Sequence, residues 1–297
     1  MNILISGGSG YLGSGLAKEF IGEGHRVCLP LRSQSSAIRL SDIEDFCTIK
    51  SYSSAGELDK IVLDLKPDII IHTACLYGRN GESNAKLIEA NLLFGMQLLE
   101  ISERLVEPVK FINTDTCLEA SLNSYALSKS QFAHWGRLTA NKKSSNITFL
   151  NIRLQQFYGP GDDKTKLPGH ILHSCFSNVT NLKLTTGNQL RDFIYIEDVI
   201  AAFLVVVKNI ESFEQYSEIE LGTGNSITVK EFVQTAHSLL ESSTNLLFGA
   251  IPSRDNEPEE CVADLKVLLG LGWEPNFSLV DGLTKTIKLE FNREQMI

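Results

Sequence analysis

The sequence has no cluster of lysines and arginines, no C-x-x-C pair, no internal repeat and no low-complexity segment. With 27 Lys and Arg against 36 Asp and Glu, the formal net charge is −9. Nucleic acid and anionic membrane surfaces both need a concentrated basic face, so neither is an expected partner. A small anion held by a few placed arginines stays compatible with this balance. The six cysteines, at positions 28, 47, 75, 117, 175 and 261, sit mostly in apolar surroundings. They are expected to be reduced thiols of a cytoplasmic protein, the alternative being a free catalytic thiol. Apolar runs such as AAFLVVV at 201–207 are too short to span a bilayer. The opening MNILIS reads as a strand and not as a leader. His170 and His173 lack a third ligand nearby in sequence, so no metal is expected.

What is present is a core-forming chain, 43% hydrophobic over 297 residues, enough for one large domain or two intimately joined ones. Its first 33 residues read as strand, Gly-rich turn, helix, turn and strand. Gly7, Gly10 and Gly13 follow the first strand without a gap. Gly7 permits the sharp exit, Gly10 lets backbone approach a pyrophosphate, and Gly13 lets the helix pack on the sheet. The amides of Tyr11 and Leu12 open the helix toward the phosphates. The alternative is a Gly-rich turn without a ligand. The second strand ends in Leu31-Arg32-Ser33, with no acid before Asp42. An NAD site usually carries a carboxylate there for the ribose hydroxyl, whereas a guanidinium and a hydroxyl suit a 2′-phosphate. Arg32 and Ser33 therefore point to NADPH, unless Arg32 is only a surface residue.

Strands and helices then alternate through residue 154, which predicts a doubly wound parallel α/β sheet of Rossmann type. Ligands collect at the carboxyl ends of such strands, where His72-Thr73-Ala74 and Thr114 fall. Tyr125 and Lys129 lie one turn apart on one face of the following helix. A lysine beside a tyrosine favours the phenolate and can lower the phenol's pKa. With the Thr114 hydroxyl, the pair can deliver a proton to a carbonyl oxygen while hydride arrives at its carbon, or accept one in reverse.

GGSGYLG at 7–13, PDIIIHTA at 67–74, EANLLFGMQLLE at 89–100, YALSK at 125–129 and NIRLQQFYGPGD at 151–162 resemble the extended short-chain dehydrogenase/reductase family of nucleotide-sugar epimerases, dehydratases and reductases. TTGNQLRDFIYIEDVIAAF, ELGTGNSITVKEF and LGWEPNFSLVDGL extend the resemblance over nearly the whole chain. ACLYGRNGES and FGAIPSRDNE look most like the bacterial CDP-abequose and CDP-paratose synthases of that family, which supply O-antigen dideoxyhexoses. The resemblance implies Tyr125 as acid/base, Lys129 on the nicotinamide ribose and Thr114 on the sugar carbonyl. It implies Ala74 and Phe157 as further cofactor contacts, and Gln156, Arg191 and Arg254 as substrate contacts. Arg191 has an alternative as partner of Asp192 or Glu197, and Lys166 as phosphate ligand or solvated loop lysine.

The expected division is a cofactor domain over 1–159 and about 190–223, with a smaller mixed α/β substrate domain over 160–189 and about 224–297. RDFIYIEDVIAAF is expected to return to the first domain, and Thr228 with Glu231 to open a helix as a capping box. Asp115-Thr116 stands where dehydratases of the family carry Asp-Glu, so dehydration is not expected. The implied reaction is NADPH-dependent reduction of the C4 ketone of CDP-4-keto-3,6-dideoxy-D-glucose, giving CDP-abequose or CDP-paratose, in a cytoplasmic homodimer. The rivals are a nucleotide-sugar 4-epimerase with tightly bound NAD and a non-catalytic NADP(H) sensor.

Overall fold

The computed structural model describes residues 1–253 and 257–291. In chain order the first elements are β1 (Asn2–Ser6), α1 (Tyr11–Gly22), β2 (Arg26–Arg32), β3 (Thr48–Tyr52), α2 (Ala55–Leu65), β4 (Ile69–His72), α3 (Asn84–Ile88), α4 (Phe94–Glu103), β5 (Val109–Thr116), α5 (Ser124–Ala140) and β6 (Ile147–Leu154). They continue as β7 (Gln156–Tyr158), α6 (Leu167–Phe176), β8 (Asn181–Lys183), β9 (Leu190–Arg191), β10 (Phe193–Tyr195), α7 (Ile196–Lys208) and β11 (Tyr216–Leu221). Then come β12 (Ile227–Thr228), α8 (Val229–Leu239), β13 (Asn245–Leu247), β14 (Glu260–Cys261), α9 (Lys266–Gly270) and α10 (Leu279–Phe291).

Seven strands form a parallel sheet in the order β11-β6-β5-β4-β1-β2-β3, flanked by helices in the expected Rossmann manner. β1 pairs in parallel with both β2 and β4, so the strand order reverses between β1 and β4. That reversal leaves a crevice at the carboxyl ends, where the chain leaves Ser6 and His72 for opposite directions. The strands are short buried apolar runs because both faces are covered. Ile3, Leu4, Ile5, Ile70 and Ile71 have no exposed surface. Phe111, Phe132 and Phe149 pack together between sheet and α5. Gly136 of α5 lies directly against the Phe149 ring, so any side chain there would lift the helix off the sheet.

The chain separates into two compact units, Met1–Arg153 with Phe203–Ile219, and Leu154–Ala202 with Glu220–Ile297. In the second unit β10 pairs in parallel with β7 in a two-stranded sheet, and the first unit resumes at Phe203 within α7. The strand that does join the large sheet is β11. Asp192, fully buried between β9 and β10, organises this unit. Its carboxylate accepts from Thr223 N and Oγ1, Gly224 N and Ala263 N, at 2.7–3.3 Å. Thr228 caps α8 as expected, accepting from Glu231 N at 3.0 Å. All six cysteines are free thiols. No helix of the described residues is long and apolar enough to cross a membrane.

Candidate active site

The glycine loop stands at the sheet reversal. Gly7 has φ +75°, and a Cβ there would lie 2.6 Å from Ala74 N. The backbone exits of β1 and β4 are therefore in direct contact, and a side chain at Gly7 would be both strained and obstructed. Gly10 N donates to Gly7 O at 2.8 Å, closing a turn, and Gly10 caps α1 without a side chain. A Cβ on Gly13 would stand 2.8 Å from Thr73 Oγ1, whose hydroxyl donates to Ser6 O. The first amides of α1, from Tyr11 and Leu12, have no carbonyl partner within the helix. A cradle of close backbone with a positive helix end fits a dinucleotide pyrophosphate.

At the end of β2, Arg32 and Ser33 are exposed. Ser33 N and Oγ both lie 3.0 Å from Tyr52 O, which fixes the exit from the strand. Asp42, the first acid after β2, is paired with Lys18. A second arginine reaches back toward the glycine loop. The Arg39 guanidinium lies over the Tyr11 ring, 5.6 Å from its centre. Arg39 was not singled out in the sequence, because nothing in a loop arginine's spacing marks which residue it will cover.

Asn123 opens α5 by accepting from Ala126 N at 2.8 Å, which places Tyr125 and Lys129 in its first turns. Tyr125 is half-buried, while Lys129 is 1% exposed. Lys129 Nζ is buried with no hydrogen-bond partner. A buried ammonium without a partner is costly, so this atom fits the hydroxyls of a nicotinamide ribose. Burial pulls the Lys129 pKa down, opposed by Cys75 and Asp115. Burial also pushes the Tyr125 phenol well above its usual range, reinforced by Cys75 and Asp115 and opposed by Arg79. The expected downward pull of Lys129 on the phenol does not set the net direction, which is upward. Loss of water around the ring outweighs every nearby charge, and the phenol is held in its proton-bearing form.

Thr114 is 5% exposed at the end of β5, its hydroxyl donating to His72 O at 2.9 Å. Its neighbour Asp115 acts electrostatically on both Tyr125 and Lys129, so the β5 end and the start of α5 share one locality. Asp115 is held by Asn151 Nδ2 at 3.0 Å, and Asn151 accepts from Asn113 Nδ2 at 2.7 Å. His72 is fully buried, with Nδ1 2.7 Å from Ser6 Oγ. Burial and the nearby Lys129 charge keep it neutral.

One residue that sequence reasoning missed ties these parts together. Between α3 and α4 the helical stretch passes through a π-helical turn, Glu89–Leu93, carrying the fully buried Asn91. Asn91 Oδ1 accepts from Leu76 N at 2.7 Å, and Nδ2 donates to Leu76 O at 2.9 Å and Ser128 Oγ at 3.0 Å. The available signal was an Asn four residues after the buried Leu87, on the helix face that reads as core.

In the second unit the expected substrate residues have partners of their own. Arg191 is 3% exposed and paired through Nη2 with Glu257 Oε1 at 2.8 Å, not with Asp192 or Glu197. Lys166 is 8% exposed, with Nζ 2.8 Å from Asp162 Oδ1 and 4.1 Å from the centre of the Phe157 ring. The solvated loop lysine is therefore corrected to a buried, paired one. Gln156 is half-buried in β7, its backbone N–H donating to Asp192 O at 3.1 Å. Arg254 lies outside the described residues. His173 pairs with Glu290 at 3.2 Å. Among the described residues no group of His, Cys, Asp and Glu could hold a metal ion.

A glycine-rich cradle at the reversal of a parallel α/β sheet, with Tyr125 and Lys129 on the helix after β5, is the arrangement of a Rossmann-type protein. The family model of the NAD dependent epimerase/dehydratase family matches residues 3–222, and the chain belongs to that family. It is 30% identical to a CDP-abequose synthase of Salmonella typhimurium, over 96% of this chain and 97% of that one. Among solved structures it is similar to the UDP-glucose 4-epimerase of Thermotoga maritima with UDP-glucose, at a TM-score of 0.84 and 20% identity, over 98% and 99% of the two chains. The UDP-glucose 4-epimerase of Thermus thermophilus in complex with NAD gives a TM-score of 0.83 at 19% identity, over 99% and 100%.

Proposed function

We propose that this protein is an NADPH-dependent reductase of the C4 ketone of a nucleotide-linked deoxysugar, acting on CDP-4-keto-3,6-dideoxy-D-glucose to give CDP-abequose or CDP-paratose. The observation that carries the reading is the buried, unpartnered Lys129 Nζ one turn beyond Tyr125. The choice of sugar nucleotide follows the likeness to the Salmonella CDP-abequose synthase. NADPH supplies the hydride. Gly7, Gly10, Tyr11, Leu12 and Gly13 hold its pyrophosphate, Ala74 and Phe157 line its site, Arg32 and Ser33 hold its 2′-phosphate, and Lys129 its nicotinamide ribose. Tyr125 gives its proton to the oxygen as the ketone carbon gains hydride, and Thr114 hydrogen-bonds that oxygen by rotating its hydroxyl from His72 O. A phenol kept protonated by burial suits the reducing direction, which begins with an acid. Gln156, Lys166, Arg191 and Arg254 contact the sugar nucleotide, with the diphosphate replacing Glu257 on Arg191.

A second reading, a 4-epimerase with tightly bound NAD, is favoured by the likeness of the fold to the two UDP-glucose 4-epimerases. The protein is also proposed to work as a cytoplasmic homodimer. Leu127, Trp135 and Leu138 of α5 and Leu93 before α4 are 46–58% exposed, an apolar face that a second copy would cover.

The test is a product assay with purified protein, NADPH and CDP-4-keto-3,6-dideoxy-D-glucose. Stoichiometric loss of nicotinamide absorbance, with NMR couplings at C4 that identify one dideoxyhexose, is the expected result. Protein that purifies with stoichiometric NAD and interconverts C4 epimers without net oxidation of NADPH would move the conclusion to the epimerase.

A further inference from the structure

The segment between β4 and α3, ACLYGRNGES, carries an arrangement that the reduction described above does not use. Leu76 is fastened on both its backbone groups by Asn91. Gly78, two residues on, has φ +73°, and a Cβ there would lie 3.1 Å from Leu87. This left-handed turn, which favours glycine, folds Arg79 back over Tyr77. The Arg79 guanidinium stands 4.7 Å from the centre of the Tyr77 ring. Tyr77 also packs against Tyr125, with ring centres 5.1 Å apart and planes inclined by 39°. Arg79, Tyr77 and Tyr125 therefore form a continuous stack, anchored at Leu76 and turned at Gly78.

We propose that Arg79, carried on the Tyr77 ring, is a positioning residue for Tyr125. It holds the phenol ring and sets positive charge against a group that turns negative as its proton leaves. The inference rests on Tyr125 being the proton donor. Cation–aromatic contact favours Arg79 over the ring face, and the paired rings restrict rotation of Tyr125. Tyr125 is faced by Cys75 beyond β4, by Asp115 and Cys117 at the end of β5, and by Lys129 on its own helix face. Cys75, Asp115 and Cys117 oppose loss of its proton, and Arg79 favours it. Because Arg79 is exposed, solvent and salt weaken its effect, which should shrink as ionic strength rises.

The experiment is fluorine NMR of protein in which the 7 tyrosines are replaced by 3-fluorotyrosine, with the Tyr125 signal assigned by its loss in Tyr125→Phe. Fluorination makes the phenol more acidic and brings its titration within reach. In Arg79→Met the Tyr125 midpoint should rise by roughly half a pH unit at low salt. Arg79→Lys should recover part of that shift, and Tyr77→Leu should displace the signal at neutral pH. In active preparations, Arg79→Met should move the alkaline limb of kcat without changing the NADPH KM. A Tyr125 signal and midpoint identical in native protein and Arg79→Met would overturn the proposal. Where burial holds the native midpoint above the range of stable pH, a Tyr125 signal at neutral pH unmoved in both Arg79→Met and Tyr77→Leu would overturn it equally. The titration involves no turnover, so it tests the stack even if the product assay fails.

Discussion

Asn91 Nδ2 lies 3.0 Å from Ser128 Oγ, joining the π-helical turn before α4 to the residue that precedes Lys129. The same amide binds Leu76, one residue before Tyr77. One side chain thereby links the exit of β4 to α5, the helix that carries Tyr125 and Lys129. Asn91 lies on the π-helical turn, four residues after Leu87 and seven before Leu98, and is buried with both.

Replacing Asn91 by Leu should remove three hydrogen bonds and leave Leu76 without its side-chain partner. The expected loss is about 2–4 kcal/mol of unfolding free energy, measured by urea denaturation. Hydrogen exchange at the Leu76 amide should accelerate beyond the global change, because its acceptor is gone.

Lys129→Met should act in opposite directions on stability and binding. Replacing an unpartnered buried ammonium with an apolar chain of similar length should stabilise the ligand-free protein by about 1–3 kcal/mol at neutral pH, measured by thermal unfolding. NADPH affinity should fall in the same variant, read by nicotinamide fluorescence. Burial lowers the Lys129 pKa below its ordinary value of 10.5, so at rising pH the folded chain releases this proton before the unfolded one. Between those two values the unfolded state holds more protons, and native stability rises with pH. The advantage of Lys129→Met should therefore narrow as pH approaches 10.5.

How far the molecule was legible in its sequence depended on whether the signal was local. β1, Gly7, Gly10 and α1 form one uninterrupted stretch whose glycines each answer a local steric demand. Tyr125 and Lys129 share a helix face by spacing alone. Asn91 sits on the face that reads as core, but its role was hidden because its partners Leu76 and Ser128 are far from it in sequence. Arg191 was equally opaque. Its partner Glu257 is distant in sequence and adjacent only after β9 and β14 pair. Lys166 lies in the polar stretch GDDKTKLPG, where a lysine reads as solvated, yet it is 8% exposed, paired with Asp162 and set against the Phe157 ring.

His72 should make the protein acid-sensitive. Its pKa lies well below 6.5 in the folded chain because burial disfavours the imidazolium, with the Lys129 charge adding to the effect. Below 6.5 the unfolded chain takes up a proton that the native one refuses, so stability falls with pH. The slope from this group approaches about 1.4 kcal/mol per pH unit. His72→Asn, which keeps a polar group for Ser6, should flatten the stability profile between pH 6.5 and its acid limit. An unchanged slope would show that another group titrates there.

Arg32→Ala should separate the two nicotinamide cofactors. Loss of a guanidinium from a 2′-phosphate should weaken NADPH about 10- to 100-fold, while NADH, which lacks that phosphate, should bind as before. Titrations of both cofactors by fluorescence quenching measure this. Equal effects on both would mean that Arg32 acts on the fold of the β2 exit through Ser33 and Tyr52.

Tyr125→Phe removes one oxygen from a ring held by Tyr77 and leaves Lys129, Thr114 and the glycine loop in place. If Tyr125 is the proton donor, turnover of the nucleotide-linked ketone should fall by about 10²- to 10⁴-fold, the range for loss of a positioned general acid. NADPH affinity should be retained, because the pyrophosphate cradle and Lys129 are untouched. Single-turnover NADPH oxidation beside an independent binding titration separates the two quantities. Loss of both together would mean that the phenol holds the cofactor. Retention of both would assign the proton to another group, and Asp115, which acts on both Tyr125 and Lys129, would be the next residue to replace.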